Sequence, residues 1–406
     1  MKKELLIIAH RIPYPPDKGD KIRTYNMVRY LAERYRITVA CMIDDADDLK
    51  YVPELEKIVA KVHYHFRSSK AMKLHALLSL CTGRSFTQQC FYSQALQKQI
   101  DDYLGQHQEA AVLCFCSSSA EYLYRSRHKM ADLKNRILLN DLIDVDSEKW
   151  GQYAEQKTGF MKWIYQREAH LLLPYELRIA ADFDCSFLVT EEEKKVLAAH
   201  GEVGKVEALS NGVDLEYFSP DKVDKEKHPT ALHKLVFSGA MDYWPNVEGA
   251  VWFAEKIFPL VKVSCPDAVF CIAGRNPTDE VLALKKISGV EVTGTVPDMR
   301  DHLATATICV VPLLIARGIQ NKVLEAMAME KPVIATTGAA TGTKAIDGKE
   351  LIIADKEQQM ANEIVALLTD PERQREMGRM ARAYVEREHS WESHLQRLVE
   401  IIEKQN

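Results

Sequence analysis

The chain has 406 residues, of which 47% are hydrophobic and 27% charged, and its net charge is −5. That length favours two domains, and the balance is ordinary for a globular protein with material for two cores. The acidic balance argues against general nucleic-acid affinity. Nine cysteines lie scattered through apolar runs such as Val112–Cys116, with no CxxC pair and no zinc-like His spacing. They read as buried, reduced thiols of a cytosolic protein. The start, MKKELLIIAH, is a first strand, its apolar run too short for a signal-peptide core. No later run approaches the roughly 18 apolar residues of a membrane span.

In chain order, strands are predicted at Leu5–Ala9, Ile37–Ile43, Val62–His65, Val112–Cys116, Ile137–Leu139 and Cys185–Val189. Helices are clearest at Lys21–Arg34 and Ala95–Gly105, and Lys149–Ala181 is helical in pattern throughout, with Thr190 opening a further helix. This alternation predicts an α/β fold with a parallel sheet covered on both faces. Residues 211–232 are polar and turn-rich, and read as a linker between a domain at 1–210 and one at 233–388. The second half repeats the pattern, with strands at Leu235–Phe237, Ala268–Ala273, Val290–Val292, Ile308–Val311, Val333–Ala335 and Leu351–Ile353. Gly239, Gly274 and Gly294 follow strands at once or nearly so, where ligands approach the carboxyl ends of a parallel sheet. Glu357–Lys404 reads as helical, with Ser390 capping a final helix over 389–406.

The most informative stretch is Gly318–Thr336, which reads strand–loop–helix–strand. Asn321, Lys322 and Glu325 stand at the start of its helix, where amides and the helix dipole attract phosphate. Lys322 is suited to neutralise a pyrophosphate, and Glu325 to accept two ribose hydroxyls. The plain alternative is a surface i,i+3 pair, worth a few tenths of a kcal/mol, about 0.3. Arg275, after strand Ala268–Ala273, is a second candidate for the phosphates.

In the first half, Lys21 and Arg23 sit at a helix start, against the dipole preference. They read either as an anion-binding pair or as solvated charges. His10 ends the first strand and either touches a bound ligand or is an ordinary hydrogen-bonded histidine. Asp141, Asp144 and Asp146 follow strand Ile137–Leu139, and a carboxylate there, Asp144 by preference, is suited to orient or deprotonate a bound hydroxyl. Asp146 reads as a helix cap. Asp144-Val-Asp146 and Asp182-Phe-Asp184 have DxD spacing, but they fall in the other half from the phosphate-binding unit, so no metal site is expected. No GxGxxG follows strand one, so NAD lacks support. Segment 67–84 is basic and apolar, and reads as a core-packed helix with a solvated edge or as a helix lying on an anionic membrane.

Three segments, Pro15–Arg34, Asn211–Ser219 and Gly318–Thr336, together resemble the GT-B-fold glycosyltransferases of family 4, also called glycosyl transferases group 1. The wording of 17–26, 144–150, 239–249 and 318–328 is similar to a bacterial subgroup associated with PEP-CTERM/exosortase exopolysaccharide loci. The resemblance implies two Rossmann-like domains with parallel sheets facing across a cleft. The C-terminal domain would hold a UDP- or GDP-sugar and the N-terminal one a glycan or lipid-linked acceptor, with the final helix packing back on the N-terminal domain. It further implies a retaining, metal-independent hexosyl transfer in exopolysaccharide biosynthesis, by a cytoplasmic enzyme with peripheral contact at the inner membrane face and no nucleic-acid partner. Glu325 matches the family's ribose-binding glutamate, and Gly19 its glycine loop near the donor phosphate. Gly239 and Gly318 fall in donor-side loops. Arg317 departs from the pattern: it stands eight positions before Glu325, where many members place a glutamate on the donor sugar. That departure leaves the sugar contact unassigned and keeps open a non-catalytic nucleotide-sugar sensor or scaffold; a sugar-nucleotide epimerase of the same fold is a separate rival, against which segment 211–220 and the Glu325 helix argue.

Overall fold

The computed structural model describes residues 2–16, 19–77, 79–224, 233–316 and 319–404. The chain divides into two units, one made of Met1–Ser210 with Leu395–Asn406, the other of Asn211–His394.

The first unit is built on a parallel sheet of seven described strands: β1 (Glu4–Ala9), β2 (Arg36–Ile43), β3 (Lys61–Phe66), β4 (Ala111–Phe115), β5 (Leu138–Ile143), β6 (Cys185–Leu188) and β7 (Val206–Ala208), in the order β3-β2-β1-β4-β5-β6-β7. Its central strands are near-continuous apolar runs because helices cover both faces. Leu6 and Ile8 of β1 pack with Val112 and Cys114 of β4 against Leu96 and Ile100 on one side, and Leu172 and Ile179 belong to the same core. The strand order reverses between β1 and β4, and loops leaving the carboxyl ends of such a pair form a crevice.

The second unit repeats the design with β8 (Lys234–Ser238), β9 (Val269–Ala273), β10 (Val290–Gly294), β11 (Ile308–Val311), β12 (Val333–Ala335) and β13 (Ile352–Ile353), ordered β10-β9-β8-β11-β12-β13. The reversal falls between β8 and β11, so the loops after these two strands meet.

Several sequence expectations change. β7 is an additional strand, short and half-buried, with no apolar run to announce it. The helical stretch from Lys149 breaks into Asp146–Glu155 and Gly159–Asp182, where Gly159 takes a φ of 60°. The tail from Glu357 is three helices, Glu357–Leu368, Pro371–Glu388 and Trp391–Lys404. Asp370 caps the second, accepting from Arg373 N, and Ser390 Oγ caps the third, accepting from Ser393 N at 3.2 Å. Residues 211–224, read as linker, are bonded into the second unit. Val213 bridges Ser390, and the Asn211 carbonyl meets His389 Nδ1 at 3.3 Å. Residues 225–232 lie outside the described residues. Cys90 and Cys116 are only half-buried, whereas six other described thiols are buried. Among the described residues no helix is long and apolar enough to cross a membrane.

Candidate active site

In the second unit, glycines decide how closely the loops can approach. A Cβ on Gly274 would stand 1.6 Å from the Gly239 carbonyl oxygen, so the loops leaving β8 and β9 touch backbone to backbone. Gly239 N donates to the Ala273 carbonyl at 3.0 Å. A Cβ on Gly239 would in turn meet Asn246 Nδ2 at 2.7 Å and Lys322 Nζ at 3.1 Å. The bare backbone at 239 thus leaves room for two polar side chains to converge.

Lys322 Nζ donates to Asn246 Oδ1 at 2.5 Å and lies 4.8 Å from the centre of the Phe237 ring. Asn246 is itself fixed, its Nδ2 donating to the Ala240 carbonyl at 2.8 Å. The ammonium is therefore held by an amide rather than by the i+3 carboxylate. Burial pushes Lys322 down to about 7, against the opposing pull of Glu325. Burial likewise pushes Glu325 up to about 7, against Lys322. Two groups that ionise readily in water are thus held close to neutrality, a condition typical of sites that await a charged ligand. Asn321 begins the same helix, Asn321–Ala328, and its Oδ1 accepts from Asn211 Nδ2 at 3.1 Å. Arg275 follows Gly274 directly, and its carbonyl accepts from Met241 N at 2.8 Å. Arg317 and Gly318 lie outside the described residues.

In the first unit, the candidates gather at the carboxyl ends of β1 and β5. His10 Nε2 and Asp20 Oδ2 are 2.8 Å apart, and Arg11 adds a second contact to that carboxylate at 3.2 Å. Burial alone would raise Asp20, but His10 and Arg11 outweigh it and hold the carboxyl well below its usual range. His10 is buried, edge-on to Phe91 at 5.1 Å, and its Nδ1 has no hydrogen-bond partner. Asp144 Oδ2 accepts from Lys149 at 2.5 Å, while its Oδ1 is buried without a partner. Asp146 lies 3.4 Å from the same lysine, and burial raises it, with Lys149 and His10 opposing. His10, Asp144 and Asp146 thus share one neighbourhood, offering a ring nitrogen and a carboxylate oxygen that no described residue satisfies.

Two expectations are corrected here. Lys21 and Arg23 are not a free anion-binding pair. Lys21 Nζ donates to Asp48 at 2.7 Å, and Arg23 grips Asp141 with two bonds of 2.6 and 2.9 Å. Asp146 is not the helix cap: Val145 holds that position, and the amide of Ser147 is taken by Glu176. Gly19 opens its helix, and a Cβ there would meet no described atom within 4 Å. Of the DxD pairs, Asp182 bonds Tyr124, Lys134 and Arg178, and Asp184 accepts from Leu138 N. Among the described residues no three His, Cys, Asp or Glu side chains group as metal ligands.

The sequence reading missed other features. Cys116 and Ile143 end adjacent strands with φ of 63° and 71°, a conformation costly for non-glycine residues and commonest at functional sites. Neither residue type signals it. Glu176 is nearly inaccessible, accepting from Ser147 Oγ at 2.5 Å, and burial together with Asp146 pushes it up to about 8. A folded-state value above the unfolded one binds extra protons, so this contribution is complete below about pH 4.5 and is lost as pH rises through 8. Glu176→Gln, which keeps an acceptor for Ser147 N, should therefore gain in Tm relative to wild type between about pH 6 and pH 9. A constant difference across that range would mean that water reaches the carboxyl.

Residues 233–370 match the glycosyl transferases group 1 family. The chain is 22% identical over 375 residues to an uncharacterized 44.6 kDa protein in the cps region of Klebsiella pneumoniae, covering 89% of this chain and 90% of that one. It is 28% identical over 232 residues to a GDP-mannose-dependent mannosyltransferase of Corynebacterium glutamicum acting on a phosphatidylinositol monomannoside, covering 52% of this chain and 60% of that protein. Sucrose-phosphate synthase of Thermosynechococcus elongatus superposes with a TM-score of 0.72 at 16% identity over 98% of both chains. HepE of Anabaena, solved with UDP, superposes with a TM-score of 0.69 at 12% identity over 98% of this chain and 99% of that one. With two parallel-sheet units of this order, the chain is a glycosyltransferase of the GT-B fold. Its second unit carries the glycosyl transferases group 1 domain.

Proposed function

We propose that the chain transfers a hexose from a UDP- or GDP-sugar to a glycan or lipid-linked acceptor during exopolysaccharide assembly. The observation that carries this reading is the Lys322 ammonium held by Asn246 over the bare backbone of Gly239, one helical turn from Glu325. A nucleoside diphosphate leaves with growing negative charge, and a preorganised cation stabilises that charge. Lys322 would meet the pyrophosphate, Glu325 the ribose hydroxyls, and Arg275 the outer phosphate. No metal is required in this scheme. The sugar–phosphate bond breaks as the acceptor oxygen bonds the anomeric carbon on the same face. The acceptor proton passes to the leaving phosphate, giving retention, and Asp144 and His10 orient the acceptor. The UDP bound by HepE and the GDP-mannose used by the mannosyltransferase support the donor class. The cps-region relative supports the polysaccharide role and, with it, a place in the subgroup found at exopolysaccharide loci. A lipid-linked acceptor would bring the enzyme to the inner membrane face.

The test is calorimetric titration with UDP, GDP and inorganic pyrophosphate, with and without Mg²⁺. One nucleoside diphosphate should bind specifically, with the same affinity in both. Glu325→Ala should weaken that nucleotide about 10-fold or more, as loss of charged hydrogen bonds does, and leave pyrophosphate unchanged. Equal loss for both ligands would remove Glu325 from the ribose.

A further inference from the structure

Helix Ser69–Leu77 buries Met72 and Ala76 but turns Leu74 out at 70% exposure and Leu77 at 50%. The next helix, Ser79–Thr82, buries Ser79 and leaves Leu80 at 40%. This differs from a core-packed helix with a polar edge, since three leucines stand where such a helix carries polar groups. A second apolar strip opens the helix Gly159–Asp182. Phe160 is 68% exposed and Trp163 50%, and their rings stack with centroids 5.7 Å apart. The strips adjoin. Phe160, Trp163 and Arg167 share one face at i, i+3 and i+7. Arg167 Nη2 donates to the Ser79 carbonyl at 2.8 Å and to that of Arg84 at 3.1 Å. Apolar surface of this kind on one face marks an interaction site.

Its charge says what kind. Segment 67–84 holds four Lys or Arg and segment 156–167 three, with no Asp or Glu in either, in a chain of net charge −5. We infer that this face lies on an anionic lipid bilayer. The leucines, Phe160 and Trp163 enter the headgroup region, where indole rings are favoured, and exposed basic side chains such as Lys70 and Lys162 meet lipid phosphates. A second copy fits less well, because a two-fold contact would set the same basic segments against each other. The inference deepens the reading of a lipid-linked acceptor, and its test reads binding rather than turnover, so either can fail alone.

The whole protein is sedimented with vesicles of phosphatidylcholine, alone or with about a third phosphatidylglycerol. Wild type should pellet with the anionic vesicles only, and should release in about 0.5 M NaCl, where surface charges are screened. Leu74→Ser with Leu77→Ser, Phe160→Ser with Trp163→Ser, and Lys70→Gln with Lys162→Gln should each lower binding about 10-fold. All six positions are exposed, so Tm should hold. No binding to the anionic vesicles, or equal binding by wild type and every variant, overturns the inference. So does self-association of wild type in sedimentation velocity that the same variants abolish, which would assign the face to a second copy.

Discussion

Lys322→Ala should lower turnover by about 10²–10³-fold, the loss typical when one donor to a developing anion is removed. Affinity for the nucleoside alone should hold, because the ribose contact proposed for Glu325 remains. The same residue sets a pH dependence. Its folded-state value near 7 lies below the ordinary 10.5, so the free protein loses the ammonium as pH rises past neutrality. Lys322 and Glu325 titrate as a pair, and above neutral pH the pair is left short of a proton. Diphosphate binding then restores the ammonium and takes a proton from buffer. Affinity should fall between about pH 7 and pH 9, with proton uptake visible as a buffer-dependent enthalpy, and both effects should vanish in Lys322→Ala. Asn246→Ala keeps the ammonium but frees it, and should reduce kcat more than affinity for the diphosphate. A pH-independent affinity in wild type would place the diphosphate on another cation, with Arg275 first to test.

The second large effect is on stability. Arg23→Ala should cost about 3–5 kcal/mol, because it leaves the Asp141 carboxylate, fully buried, without its bidentate partner. Urea denaturation of the first unit would read this as a lower midpoint. Replacing the pair together, Arg23→Met with Asp141→Leu, should recover most of the loss, since a buried ion pair can often be exchanged for apolar side chains of similar volume. A double variant as weak as the single one would show that the pair shapes the packing around it as well as balancing its charge.

That pair also shows where sequence reasoning stops. The helix-dipole argument sees only Lys21 and Arg23 at a helix start. Asp48 and Asp141 come from 27 and 118 positions away, one in a short 3-10 helix and the other on β5. Strands β1, β4, β8 and β11 were legible because parallel strands buried on both faces are written as unbroken apolar runs. β7 was not, because a three-residue edge strand needs no such run. In the site, Lys322 and Glu325 stood out through their place on the helix. Asn246 did not, since a hydrogen bond across 76 positions leaves no local pattern. The positive φ angles at Cys116 and Ile143 were invisible for the opposite reason: glycine would have flagged them, and neither is glycine.

The bridge between Val213 and Ser390 brings together the two points where the chain enters and leaves the second unit. The first unit is interrupted after Ser210 and resumes at Leu395, so the second is, topologically, an insertion. An insertion whose ends already touch asks its host to span the same short gap whatever it contains. Its interior can diverge, or be exchanged for a relative's, without changing that gap. In such a layout the second unit can be replaced as one cassette while the first is left intact.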